Sequence, residues 1–275
     1  MCRMDNEAPV RRLALLLEYD GTAYGGSQYQ KNAPTIQDSL ERALSSLTSE
    51  PIRVTMAGRT DAGVHATGQV ASFITASRRP LETFARGLSA LLPEDISVQA
   101  AADVPLTFDP RRQALGRWYR YTIHVGGQRP ALLRRFLWHV PQRLDFKAMK
   151  AAAAHLPGRH NFAAFTQPSL TARRRTERLV TSASLRRMKG LVIFDIEANA
   201  FLQQMVRRLV GALLEVGLAK RTAADFARLL REARPGAATL AAPPRGLCLM
   251  KVRYESGLFD DETDEDIQPE CETDR

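Results

Sequence analysis

Residues 12–18 read as a strand, the apolar run Leu13–Leu17 bounded by Arg12 and Glu18. Residues 19–30 then form a loop rich in glycine and tyrosine, where Asp20-Gly21 and Gly25-Gly26 are turn signals. Pro34-Thr35 reads as a helix start, and Ile36, Leu40, Ala43, Leu44 and Leu47 recur behind it at helical spacing. Two strand-like runs, residues 52–57 and 69–74, enclose a short loop. A second helix is predicted over residues 80–92, with Phe84, Leu88 and Leu91 inward, and a strand over 96–101. Residues 105–116 cross into a second half, and within them Asp109 is held extended by Pro110.

The second half has the same rhythm. Residues 117–125 form a strong strand, with Tyr119, Tyr121, Ile123 and Val125 on one face and Trp118, Arg120, Thr122 and His124 on the other. An alanine-rich helix over 145–156 ends at Pro157-Gly158, and an aromatic loop, residues 160–165, precedes the basic run Arg173, Arg174 and Arg175. Strands over 179–185 and 191–198 lead to the longest apolar helix, residues 201–218. A further helix starts at Thr222 with a weak capping box to Asp225, and residues 246–254 form a closing strand. The connection between residues 57 and 69 is too short for a parallel crossover. The pattern therefore predicts an α/β chain of the α+β type, with mixed or antiparallel sheet and helices on one face. Its organisation reads as an N-terminal lobe, 11–110, and a C-terminal lobe, 111–256, between disordered ends at 1–10 and 257–275.

Composition changes this picture mainly through charge. The 275 residues carry a formal net charge of +9, yet residues 260–275 hold nine acids against one arginine. Removing that net −8 leaves +17 on the first 259 residues, the balance of a polyanion binder, although an arginine-rich solvated surface has the same composition. Apolar runs fall short of membrane-spanning length, and the scattered Cys2, Cys248 and Cys271 suit neither a disulfide framework nor a zinc site. A cytoplasmic protein is expected.

Candidate chemistry centres on residues 58–66, the loop between the strand-like runs. Gly58, Gly63 and Gly68 let the backbone turn and admit another molecule closely, and Asp61 lies two residues from Arg59. Taken alone, Asp61 is a turn aspartate with Arg59 as its surface partner. Asp61 and His65 are four apart, but His124, His139, His155 and His160 supply no ligand spacing, and His65 is expected to fix the loop through a backbone hydrogen bond. The chain has no G-x-x-x-x-G-K-[ST] cradle, no dinucleotide fingerprint and no G-x-S-x-G elbow. What survives is a carboxylate able to act as a nucleophile without a cofactor. Arg207, on an otherwise apolar helix, is either its charge partner or an arginine reaching solvent at the edge of that face. Tyr119 is either a base-stacking ring or an ordinary core aromatic.

The loop Gly58-Arg59-Thr60-Asp61-Ala62-Gly63-Val64-His65-Ala66 resembles the signature of the tRNA pseudouridine synthase A family. The resemblance extends in order through Glu18-Tyr19-Asp20-Gly21-Thr22 with Gln28, Arg117-Trp118-Tyr119-Arg120-Tyr121, His160-Asn161-Phe162, the segment from Asn199 to Arg207, and Gly246-Leu247. It implies isomerisation of uridine to pseudouridine at positions 38, 39 and 40 of the tRNA anticodon stem-loop, with no cofactor and no metal. It also implies two lobes with a positively charged cleft between them and a homodimer that binds tRNA. By motif position Asp61 would be the nucleophile, Arg59 would help displace the nucleotide, and Arg207 would pair with Asp61 and keep it ionised. Tyr119 would stack on the uracil, and Gln28 and His65 would contact the substrate. Two alternatives stand beside this: a synthase for another RNA, and an RNA-binding protein in which catalysis is minor. The family usually has tryptophan where this chain has Ser27, so a ring beside the cleft is expected to be missing. The acidic tail is additional to the pattern and is expected to compete with RNA for the basic cleft.

Overall fold

The computed structural model describes residues 10–171 and 175–260. Most of the predicted disordered ends, with Arg173 and Arg174, lie outside the described residues. In chain order the elements are β1 (Arg11–Tyr19), α1 (Ile36–Thr48), β2 (Thr55–Met56), β3 (His65–Thr75), α2 (Leu81–Leu91) and β4 (Ile96–Val104). The second half supplies β5 (Gly116–Val125), β6 (Trp138–Val140), α3 (Phe146–Ala153), β7 (Gly158–Asn161), α4 (Pro168–Thr171), β8 (Glu177–Met188) and β9 (Leu191–Ala198). It ends with α5 (Met205–Gly217), α6 (Ala223–Glu232) and β10 (Leu247–Arg253).

Among the described residues the strands form one mixed sheet in the order β4-β1-β3-β10-β5-β9-β8-β7, with β2 on β3 and β6 on β5. The predicted halves thus share a single sheet. The last strand joins them: β10 runs parallel to β3 and antiparallel to β5. Gly68 makes that seam possible, because a Cβ there would lie 2.1 Å from the carbonyl oxygen of Met250. β10 and β2 pair with successive parts of β3, β10 at His65 and Ala66 and β2 at Ser72 and Ala71. The chain between β2 and β3 leaves the sheet where those partners change, and residues 58–64 lie on that departing segment.

Local signals explain the helices. Thr35 caps α1 by accepting from the Asp38 amide, and Thr222 with Asp225 forms a complete capping box on α6. Phe73 of β3 meets Phe84 of α2 with ring centroids 5.8 Å apart, while Phe165 and Phe226 of α6 anchor the other half at 5.9 Å. Three expectations change. The run 52–57 pairs with β3 at Thr55 and Met56, and the Ala57 amide donates to the Val70 carbonyl, while the amides of Ile52 and Val54 turn to the α1 side chains Ser45 and Glu41. Strands β6 and β7 have three and four residues, too short for an alternation to register. The apolar helix starts at Met205 instead of residue 201, because Gln204 adopts φ 61° and cannot continue a right-handed helix. Residues 201–204 are thereby left as a loop.

Candidate active site

A cleft of about 670 Å³ opens at the junction of the halves. One wall is the loop carrying Asp61 together with Gly25, Gly26 and Gln28; the other is Tyr119 and the segment from Ala200 to Arg207. Asp61 Oδ2 lies 3.2 Å from Nη1 of Arg207. Nε of that guanidinium donates to the carbonyl of Ala242 at 2.7 Å, and the Ala242 amide donates back to the Arg207 carbonyl at 2.9 Å. Arg207 is therefore held by the chain beside it before it meets the carboxylate. Both side chains are partly buried, at 15% and 29% relative exposure, so solvent weakens the pair less than it would an exposed one.

The loop reaches this position through backbone geometry. Gly26, at φ +118°, forms a bridge with Asp61, and a Cβ on Gly26 would sit 2.8 Å from the Thr60 carbonyl. The amide of Val64 closes the following turn onto the Asp61 carbonyl at 3.1 Å. The glycines around the loop differ in purpose. Gly63 adopts φ +74° in the turn, and Gly68 serves the seam with β10. Gly58 faces the cleft, and the nearest atom to a Cβ there would be the Tyr119 hydroxyl at 3.9 Å.

Tyr119 is buried and meets Phe201 edge-on at 5.1 Å. Burial, reinforced by the neighbouring Tyr19, raises its pKa far above the ordinary value, so it is a neutral phenol. Arg59 and Gln28 are exposed at the mouth and line the same cleft. Asp61, Arg59, Arg207, Tyr119 and Gln28 therefore converge. His65 does not join them. At the first position of β3 it lies within 3.1 Å of the Gly21 amide and 2.8 Å of the Arg135 carbonyl, beside a second cavity of about 370 Å³. The expected backbone hydrogen bond is present there.

Ser27, where the family usually has tryptophan, is not among the lining residues of the cleft. Its side chain is fully buried, and its Oγ accepts a hydrogen bond from the Thr60 amide at 2.9 Å. The side chain faces inward, beneath the loop.

Arg117 is a cleft residue that the sequence reading left out. Its guanidinium donates to the carbonyls of Asn199 (2.7 Å), Ala57 (3.0 Å) and Arg111 (2.6 Å), tying both halves together one residue before Gly58. Burial lowers its pKa. A signal was present: alternation puts Arg117 on the same face as Tyr119 and Tyr121, an arginine on an apolar strand face. Arg111 also lines the cleft, while Arg112 lines a separate cavity beside Asp109. Asp109 anchors that stretch by accepting the amides of Arg111 and Arg112. Burial alone would raise the Asp109 pKa, but those amide bonds and the two guanidinium charges outweigh it and lower it. Among the described residues no group of three His, Cys, Asp or Glu is placed to hold a metal ion, and no helix is long and apolar enough to cross a membrane.

A carboxylate paired with an arginine in a cleft edged by further arginines is the site of an enzyme suited to an anionic substrate. The particular class follows from comparison. The family model described as tRNA pseudouridine synthase matches residues 16–111 and 152–255, and the chain belongs to that family. Among relatives, it is 43% identical over 245 residues to tRNA pseudouridine synthase A of Geotalea uraniireducens, covering 89% of this chain and 100% of the relative. It is 45% identical over 247 residues to tRNA pseudouridine synthase A of Geobacter sulfurreducens, with coverage of 89% and 100%. A solved archaeal box H/ACA sRNP Nop10-Cbf5 complex aligns at 12% identity and TM-score 0.35, covering 74% of this chain and 43% of that one, too distant to carry an argument.

Proposed function

We infer that this protein isomerises uridine to pseudouridine in tRNA, with Asp61 as the nucleophile. The observation that carries the reading is the Asp61 carboxylate, 3.2 Å from Arg207, on a glycine-framed loop facing a cleft that has room for a nucleotide. In this reaction the bond between N1 of uracil and C1′ of the ribose breaks and the base turns. A bond then forms from C5 to the same C1′; C5 loses its proton to solvent and N1 takes one up. Proton loss and gain cancel, so nothing external is consumed. A base must leave its stack to reach such a cleft. Arg59 at the mouth is suited to hold the place it vacates, and Tyr119 offers a ring against the uracil. Burial favours its neutral phenol, and the hydroxyl beside Gly58 is available as a hydrogen-bond donor. The open side of Gly58 leaves space for the ribose.

The substrate positions we assign are uridines 38, 39 and 40 of the anticodon stem-loop, in the cytoplasm, on a homodimer. Support for a dimer comes from Leu132, Leu133 and Phe136, large apolar side chains exposed on one loop that a second copy would cover. Light scattering in solution tests it. For the reaction, Asp61→Ala is expected to abolish tritium release from C5-labelled uridine in tRNA while retaining tRNA binding. Turnover by Asp61→Ala would refute the mechanism. Pseudouridine mapping in a strain lacking the gene tests the positions, and loss of the modification in an RNA other than tRNA would move the assignment there.

A further inference from the structure

Beneath the loop lies a chain of buried polar side chains that meets the active-site cleft only at Thr60. Gln69 of β3 is fully buried and grips Gly58 twice, donating from Nε2 to its carbonyl at 2.9 Å and accepting its amide on Oε1 at 3.3 Å. Nε2 also donates to the hydroxyl oxygen of Tyr19 at 3.4 Å. That hydroxyl lies 2.9 Å from Oγ1 of Thr60. Burial pushes the Tyr19 phenol up to about 12, so it keeps its proton. With Gln69 donating to the oxygen, the Tyr19 proton is free to point at Thr60. Ser27 completes the chain: its Oγ accepts the Thr60 amide and its own amide donates to the Thr60 carbonyl at 3.1 Å. Ser27 and Gln69 are 0% exposed, Tyr19 3% and Thr60 7%.

Polar groups are costly to bury, and apolar side chains of similar volume would fill this space without that cost. What a satisfied network adds is direction, since each bond fixes the orientation of the next. The two positions it grips, Gly58 and Thr60, flank Arg59, and Thr60 is the residue before Asp61. We propose that Gln69, Tyr19, Thr60 and Ser27 form a buried positioning relay that sets the aim of Asp61 and Arg59 into the cleft. None of the four need react with the substrate. This rests on Asp61 being the reacting carboxylate. Ser27 takes part through its hydroxyl, a role the family's usual tryptophan lacks the chemistry to fill.

The test compares Tyr19→Phe, Thr60→Val, Thr60→Ser and the Tyr19→Phe/Thr60→Val double variant with wild type and Asp61→Ala. Single-turnover tritium release from labelled tRNA, tRNA binding by filter retention and thermal unfolding are measured for each. Small misplacement of a reacting group costs up to about 100-fold, so Tyr19→Phe and Thr60→Val are expected to slow the single-turnover step about 10- to 100-fold. Their tRNA affinity should stay within about twofold of wild type, since uniform binding is untouched. Thr60→Ser keeps the hydroxyl and is expected to stay within about threefold of wild type, while the double variant should be no slower than the slower single. Wild-type rates for Tyr19→Phe and Thr60→Val, with Asp61→Ala inactive, would overturn the relay and leave the Asp61 reading standing. Activity in Asp61→Ala would overturn both. Should Tyr19→Phe fail to fold, the Thr60 pair decides: equal rates for Thr60→Val and Thr60→Ser overturn the relay.

Discussion

Arg207 serves two acceptors with one guanidinium, the Asp61 carboxylate through Nη1 and the Ala242 carbonyl through Nε. A lysine in its place carries the charge but only one compact donor head, so it cannot hold both partners in the same geometry. Arg207→Lys is therefore expected to slow the chemical step by about tenfold, and Arg207→Ala by about 100-fold or more, the range for losing one preorganised electrostatic contact. Affinity for tRNA should change little in either. Equal single-turnover rates for wild type and Arg207→Lys would show that charge alone suffices and that the fork geometry is idle. The pair was half visible in the sequence. An arginine on an apolar helix needs a partner or an exit to solvent, and periodicity does not choose between them. The choice required knowing that residues 61 and 207, far apart in the chain, meet across the cleft. The role of Ser27 was hidden for the opposite reason, because sequence gives a position along the loop but not the side of the loop on which a side chain lies.

At the scale of elements, the cleft depends on how closely β10 approaches β3. Gly68→Ala would drive a methyl group against the Met250 backbone, which cannot give way as a side chain tip can. The expected loss of stability is about 1–3 kcal/mol, the range for overpacking a tight site, read from urea unfolding. Gly58→Ala makes the contrast. Its Cβ would meet only the Tyr119 hydroxyl, at 3.9 Å, so stability should stay within about 0.5 kcal/mol of wild type. Its activity should nevertheless fall, because the added methyl stands where the ribose is placed. If Gly58→Ala is fully active, the ribose does not pass there. The long elements were legible because their periods run for many residues: α1, α2, β5 and β9 lie within a few residues of their predicted ends, and α6 begins at its predicted start. The join between the halves was not legible. A two-residue parallel pairing between the last strand and the start of β3 leaves no local pattern, yet it makes one sheet of two lobes.

Over the whole molecule the charge is divided between a basic body and an acidic end. Arg59, Arg111, Arg117 and Arg207 all line the cleft, although Arg117 and Arg207 are already engaged by carbonyls or by Asp61. Arg59 and Arg111 stand exposed at its mouth, where displacement of phosphate counterions would contribute to binding. Affinity for tRNA is accordingly expected to fall steeply and linearly in log-log form with salt. Residues 260–275, with a net charge of −8, form a polyanion attached to the same body. If that segment competes with RNA, its removal must strengthen binding most at low salt, where the attraction it offers is least screened, and the difference must vanish as the screening length falls to about 3 Å near molar salt. Removing residues 258–275 is expected to raise tRNA affinity at low ionic strength and to steepen the salt dependence, while leaving the single-turnover rate at saturating tRNA unchanged. Equal low-salt affinity with and without the segment would show that the acidic end does not act on the cleft. A changed saturating rate would show instead that the segment bears on the chemistry around Asp61.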